Sequence, residues 1–228
     1  MNIQERLTAF AMLGATWVLW LLVILSVVGL AIGLERLYFL ASTREDIQKL
    51  KASLLSLLAT GDVDGARSLL SASRSFEAKV ANAGLAAAGQ PAAVAEELMQ
   101  AESQLARLTM EKNLAFLGTV GNNAPFVGLL GTVIGIIRAF AALESSAGQV
   151  SATLMTEIGE ALVATAIGIL VALPSVAAYN GFQRMIRARI GQADALSHDV
   201  LAYLKSNRSA GVAYRDVAGE KPSTKSAA

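Results

Sequence analysis

The stretch 121-GNNAPFVGLLGTVIGIIRAFAAL-143, read together with 157-EIGEALVATAIGILVALPSVAAYN-180, decides the fold. Each segment holds an apolar run of about 19 residues, close to the ~20 that a helix needs to cross the hydrocarbon core of a bilayer. The linker between them, 144–156, is short and polar, so the spacing predicts two antiparallel membrane helices.

In an antiparallel hairpin, residues at equal depth have position numbers with a near-constant sum. Thr132 and Thr165 sum to 297, Arg138 and Glu160 to 298, and Pro125 and Pro174 to 299. The two arms are therefore expected to bring hydroxyls, opposite charges and prolines to three matched levels, with the charge layer roughly 8 Å beyond the threonines at 1.5 Å of rise per residue. A membrane threonine can simply bond back to the i−4 carbonyl. Three matched layers favour instead a polar seam facing the bundle interior, where intramembrane ionisable groups find partners or water. Gly131-xxx-Gly135 and Ala164-xxx-Gly168-xxx-Ala172 are small-xxx-small patterns that let helices approach closely and flank the threonines. Pro125 and Pro174 remove backbone hydrogen bonds within helices, so each is either a hinge with a free carbonyl or a tolerated kink.

The runs 124-APFVGLLGTVIG-135, 160-EALVATAIG-168 and 174-PSVAAYN-180 resemble the MotA/TolQ/ExbB proton-channel family, and within it the ExbB and TolQ branch. The resemblance is dense over about 60 residues, and the order of elements fits over most of the chain. It implies a homopentamer around the membrane helices of a single-span ExbD/TolR-like subunit, with ion flow coupled to mechanical work on the cell envelope. It also implies contact with a TonB-like, TolA-like or gliding-machinery protein. Three spans and a short loop disfavour the four-span flagellar branch. TonB, Tol and gliding systems, and proton versus sodium, stay open, although the branch favours the proton.

Composition agrees with a membrane protein: 54% of the 228 residues are hydrophobic and the net charge is +1. No basic patch interleaved with aromatics points to nucleic acid, and the absence of cysteine excludes disulfides and thiolate metal sites. No phosphate-binding loop, nucleophile–base pair or metal constellation is present, so neither an enzyme nor a cofactor is expected.

A third apolar run spans 16–34, with Trp17 and Trp20 at one rim and Tyr38 at the other, as in an interfacial aromatic belt. It is too long for a signal peptide and only Arg6 precedes it, so it reads as a retained first span after an amphipathic lead-in, 1–15. Lysines and arginines fill the loop 35–114 and the tail after Asn180, and the hairpin linker holds none. The positive-inside rule then puts the loop and tail in the cytoplasm and the N-terminus and linker in the periplasm of a bacterial inner membrane.

The loop reads as helices. Ile47, Leu50, Leu54, Leu57 and Leu58 fall at helical spacing. Pro91 opens another helix, given an apolar stripe by Val94, Leu98, Leu105 and Leu108, which leads into the second span (115–143) with a softening near Gly118 and Gly121. The third span (157–180) continues as a cytoplasmic helix over 181–205 with a solvated charged face, and the tail 206–228 lacks periodicity and reads as disordered. His198, the only histidine, is expected at the surface. The fold class is thus all-α: three transmembrane helices that extend into a cytoplasmic helical bundle.

No carboxylate lies at mid-membrane. Glu160 sits toward the outer end with Arg138 as candidate counter-charge, or Arg138 simply snorkels to the headgroups. Threonines can line an ion path but do not exchange protons near neutral pH. The chain thus looks like an incomplete channel, and the resemblance implies a partner that supplies an aspartate. Thr132, Thr165 and Glu160 are the expected path residues. The alternative is a non-conducting oligomeric scaffold, in which the threonines only pack.

Overall fold

The computed structural model of the protein describes residues 14–145 and 152–219. Seven helices follow one another there: α1 (Thr16–Ser42), α2 (Ile47–Ala59), α3 (Val63–Ala72), α4 (Phe76–Ala86), α5 (Ala92–Glu111), α6 (Leu114–Ser145) and α7 (Ala152–Gly219). No strand occurs among the described residues. The helices α1, α6 and α7 are long and apolar enough to cross a membrane, so the chain is an all-α, multi-pass membrane protein. The lead-in before Gly14, the middle of the linker (146–151) and the tail after Gly219 lie outside the described residues. From 206 to 219 the chain is helical, where composition alone gave a structureless tail.

The chain divides into two compact units. The first comprises Met1–Phe39 and Glu111–Arg184. Its core gathers Ala15 just ahead of α1, Val18 and Leu22 of α1, Val120, Ala124 and Ile134 of α6, and Val171 and Ala172 of α7. Its outward faces are apolar too, with Leu30, Phe126, Leu162 and Leu170 exposed, as expected of helices that are hydrophobic all round.

The break ahead of α6 differs from the expected softening at Gly118 and Gly121. It falls at Asn113, whose φ of +62° is left-handed, a conformation that asparagine tolerates better than most residues. The helix then runs unbroken through both glycines, which serve close approach. A Cβ on Gly118 would lie 3.3 Å from the Tyr179 ring, and one on Gly121 would lie 3.0 Å from the Val176 backbone nitrogen.

The second unit comprises Leu40–Met110 and Met185–Ala228. Each of its first three helices has a side-chain N-cap. Asp46 accepts from the Gln48 and Lys49 amides, Asp62 from Gly65 and Ser75 from Ala78. The Lys49 amide, chiefly, holds the Asp46 carboxyl below its ordinary pKa. Leu50, Leu54, Leu58, Ala66 and Leu70 bury against Ala193, Leu196, Val200 and Leu204 of α7.

Two expectations fail in this unit. On α5 the buried stripe is Ala95, Met99, Ser103, Ala106 and Met110, while Leu98, Leu105 and Leu108 face outward. Met99 of this stripe packs against Gly84 of α4, where a Cβ would run into its side chain. Nor are the charges of the tail helix all solvated. Arg189 is 9% exposed and Glu77 of α4 only 1%, and they form a bidentate pair at 2.8 and 2.9 Å. The remaining guanidinium protons go to the Thr43 hydroxyl and carbonyl and to the Leu40 carbonyl, capping the orphan C-terminal carbonyls of α1. Pro91 lies just before α5, where its carbonyl accepts from the Val94 amide at 2.8 Å. His198 is exposed.

Candidate functional site

The site grows from the small residues of the two hairpin arms. Gly128 and Gly168 face each other: a Cβ on Gly168 would lie 2.7 Å from the Ala124 carbonyl oxygen and 3.0 Å from Gly128 Cα. Gly131 sits against Ala164 of α7 and Val18 of α1, and Gly135 against Ala161 and the Glu157 carbonyl. Glycine and alanine at these places let the helix axes close to backbone contact. The paired numbers, Gly131 with Ala164 or Gly121 with Val176, add to 295–297, so the antiparallel register matches the one expected from sequence.

That register brings Thr132 and Thr165 together. Their hydroxyls are hydrogen-bonded to each other. Thr132 Oγ1 also lies 3.1 Å from the Ala161 carbonyl oxygen and 3.4 Å from that of Gly128, and Thr165 Oγ1 lies 3.2 Å from the Gly128 carbonyl oxygen. Each hydroxyl has a single proton to give, and carbonyls of both arms compete for it. The pair is half-buried by the arms, so part of each threonine stays open on the hairpin surface. Between the arms there is no room for water, since even a methyl group would not fit at Gly128, Gly131 or Gly135. The polar seam is therefore a facet of the hairpin surface rather than an internal channel.

The charge layer is built differently from the expectation. Arg138 pairs with Glu157 at 2.8 Å, not with Glu160. The sum rule matches depth but not rotation, and Glu157 lies on the stripe of Ala161, Ala164 and Gly168 that faces α6. Glu157 is buried, while Glu160, one turn along, is half-buried and turned off that stripe. Glu157 was missed because only depth was matched; its i, i+4 relation to Ala161 was the signal available.

Pro125 and Pro174 both lie within continuous helices. Pro174 joins Ser26, Gly29, Gly33, Ser175 and Phe182 in the wall of an apolar groove of about 360 Å³ between α1 and α7. The Ser175 hydroxyl donates back to the Val171 carbonyl at 2.8 Å.

These features sit inside a stretch that matches known proteins. Residues 72–195 match the model of the MotA/TolQ/ExbB proton channel family. Among curated relatives, an ExbB-like biopolymer transport protein of Helicobacter pylori is 40% identical over 93 residues, which is 41% of this chain and 62% of that one. The Tol-Pal system protein TolQ of Pseudomonas aeruginosa is 46% identical over 83 residues, 36% of each chain. The biopolymer transport protein ExbB of Neisseria gonorrhoeae is 44% identical over 84 residues, 37% of this chain and 38% of that one. The chain thus spans less than two thirds of the length of these relatives. The family match itself covers more than half of the 228 residues and contains both threonines, so the chain belongs to the MotA/TolQ/ExbB proton channel family, on its ExbB/TolQ side.

Proposed function

We propose that the protein is a subunit of an inner-membrane ion channel that converts ion-motive force, a proton gradient by its family, into mechanical work on the cell envelope. The observation that carries this is the Thr132–Thr165 hydroxyl pair, half-open on the surface of a hairpin too tightly packed to admit water. A polar facet inside a bilayer needs a polar cover, and its hydroxyls need a titrating group from elsewhere to pass protons. A single-span partner helix bearing an aspartate supplies both. In this assembly Thr132 and Thr165 line the path, Glu160 stands at its outer entry, Pro125 and Pro174 are helix hinges, and several copies of the chain, a pentamer by the family, surround the partner. The N-terminus and linker are periplasmic, and the second unit and the C-terminus are cytoplasmic by the distribution of lysine and arginine. A TonB-like, TolA-like or gliding-machinery protein would receive the work.

A non-conducting oligomeric scaffold is favoured by one observation. Both hydroxyls are already bonded to backbone carbonyls of the hairpin, as packing threonines are. The mass of the complex in nanodiscs, alone and with its single-span partner, decides together with Thr165→Val. The channel requires a partner-bound oligomer whose assembly survives the substitution while proton flux falls. Intact flux removes Thr165 from the path, and assembly lost ahead of flux favours the scaffold.

A further inference from the structure

At the linker end of the hairpin, one cation of α6 lies near the depth of two carboxylates of α7. Glu157 and Glu160 lie at i and i+3 on α7, a spacing that makes them neighbours on the helix surface, and Arg138 of α6 stands opposite. Its guanidinium goes to Glu157, with Nη2 2.8 Å from Oε1. Its Nη1 lies against Gly14, at the start of α1, where a Cβ would strike it. Gly14 has a φ of +92°, so glycine suits both the left-handed backbone and the room the guanidinium takes. The guanidinium is thereby seated between the entry to α1 and the buried face of α7. Glu157 is 8% exposed, and its Oε2 is buried with no hydrogen-bond partner. Glu160 has neither an ion pair nor a hydrogen bond among the described residues, and it is only half-buried. Among the described residues no other charge competes nearby: α1 carries none before Glu35, and the next acid on α6 is Glu144, exposed beyond Arg138.

We propose that Arg138 and Glu157 form a lock that positions the linker end of the hairpin and withholds Arg138 from Glu160, leaving Glu160 as the unneutralised carboxylate that takes a proton or other small cation. This deepens the channel reading and rests on it. Glu157 is a positioning residue, since it acts through Arg138 and touches no transported ion. The lock makes an asymmetric demand. When Glu157 loses its charge, Arg138 turns to Glu160, the neighbouring carboxylate on α7, and neutralises it. When Arg138 is lost as well, Glu160 is free again. A pair that only held helices together would also be relieved in the double variant, but the flux lost in Glu157→Gln would then be matched by loss of the assembled oligomer, whereas the lock requires flux to fall with the oligomer intact.

The test is proton flux into vesicles containing the full chain with its single-span partner, followed with a pH-sensitive dye. Glu157→Gln is expected to lower flux roughly tenfold, the effect of one gained contact to a charged group. The double variant R138Q/E157Q is expected to return to within about twofold of the parent, as fits the removal of that contact. Gly14→Ala, which keeps both charges but unseats the guanidinium, should lower flux like Glu157→Gln and serves if the latter fails to fold. A double variant as poor as the single one, or undiminished flux in both Glu157→Gln and Gly14→Ala, overturns the lock. If flux is indifferent even to Glu160→Gln and Thr165→Val, the channel reading fails instead. The lock is then judged by thermal unfolding in nanodiscs, where Arg138→Gln and Glu157→Gln must be non-additive; additive losses overturn it.

Discussion

Replacing Glu77 by alanine strands a guanidinium. Arg189 is 9% exposed and its donors are directed at Glu77, Thr43 and Leu40. Losing the carboxylate removes two charge-assisted bonds and leaves a buried positive charge facing the Phe76 ring, 5.4 Å away. Breaking a buried pair from one side costs about 3–5 kcal/mol. The loss should appear in amide exchange of the full chain in nanodiscs, as a fall in protection of α4 and of α7 beyond Met185 by roughly two to three and a half orders of magnitude. The double replacement E77L/R189M should lose far less, because exchanging a whole buried pair for apolar residues of similar volume is often neutral. A loss below about 1 kcal/mol for Glu77→Ala, the range of a surface pair, would refute the reasoning by showing that water reaches the guanidinium. Equal losses for the single and double variants would show that packing, not charge, holds the helices together.

Gly168→Ala should prevent the arms from closing at a cost of about 1–3 kcal/mol or more, read as loss of a disulfide engineered across the hairpin, whereas Gly181→Ala, with open space around it, should be neutral or stabilise by roughly 0.5–1 kcal/mol. Thr132→Val should weaken thermal stability by about 1 kcal/mol, the net worth of its hydrogen bonds, and on the channel reading should abolish flux with the oligomer intact by native mass spectrometry. The depressed pKa of Asp46 makes its contribution to stability complete above the ordinary aspartate range and lost as pH falls through the lowered value; acid titration of helicity should lose this component in Asp46→Asn, and an unchanged acid limb would refute it.

The threonine pair was legible in the sequence because depth in an antiparallel hairpin follows from numbering alone, and closeness of the arms follows from Gly131, Gly135 and Gly168. Rotation about the helix axis was not legible from single residues. Glu157 and Glu160 both lie near the depth of Arg138, and the choice depends on which of them shares a face with Ala161 and Ala164. The α5 stripe failed for a related reason. Ala95, Met99, Ser103, Ala106 and Met110 recur at helical spacing as well as the leucines do, and the face turned inward is the one on which Met99 meets Gly84 of α4. The Arg189–Glu77 pair joins residues 112 apart, and nothing local distinguishes Arg189 from the exposed Arg184 and Arg187 on the same helix.

The close packing also bears on where ions could pass. If the threonines lined a channel inside one hairpin, the glycines beside them would have to leave space for at least single water molecules. They do the opposite, drawing the arms together until a Cβ on Gly128 would lie 2.7 Å from the Ala164 carbonyl oxygen. The tightness fixes both hydroxyls in one place and presents them sideways, among the exposed apolar residues Leu129, Val133 and Leu162. A rigid polar facet on an otherwise apolar surface is poorly solvated by lipid and well suited to a mobile polar helix, because the facet need not rearrange as that helix changes protonation. The same rigidity explains why a scaffold and a channel wall look alike in a single chain: both require the arms not to move. They differ in what covers the hydroxyls, so a crosslink from Thr132→Cys to a partner helix, at a depth where this chain has no acid of its own, distinguishes them. Capture of a single-span helix at that level means a channel wall, and capture of only a second copy of this chain means a scaffold.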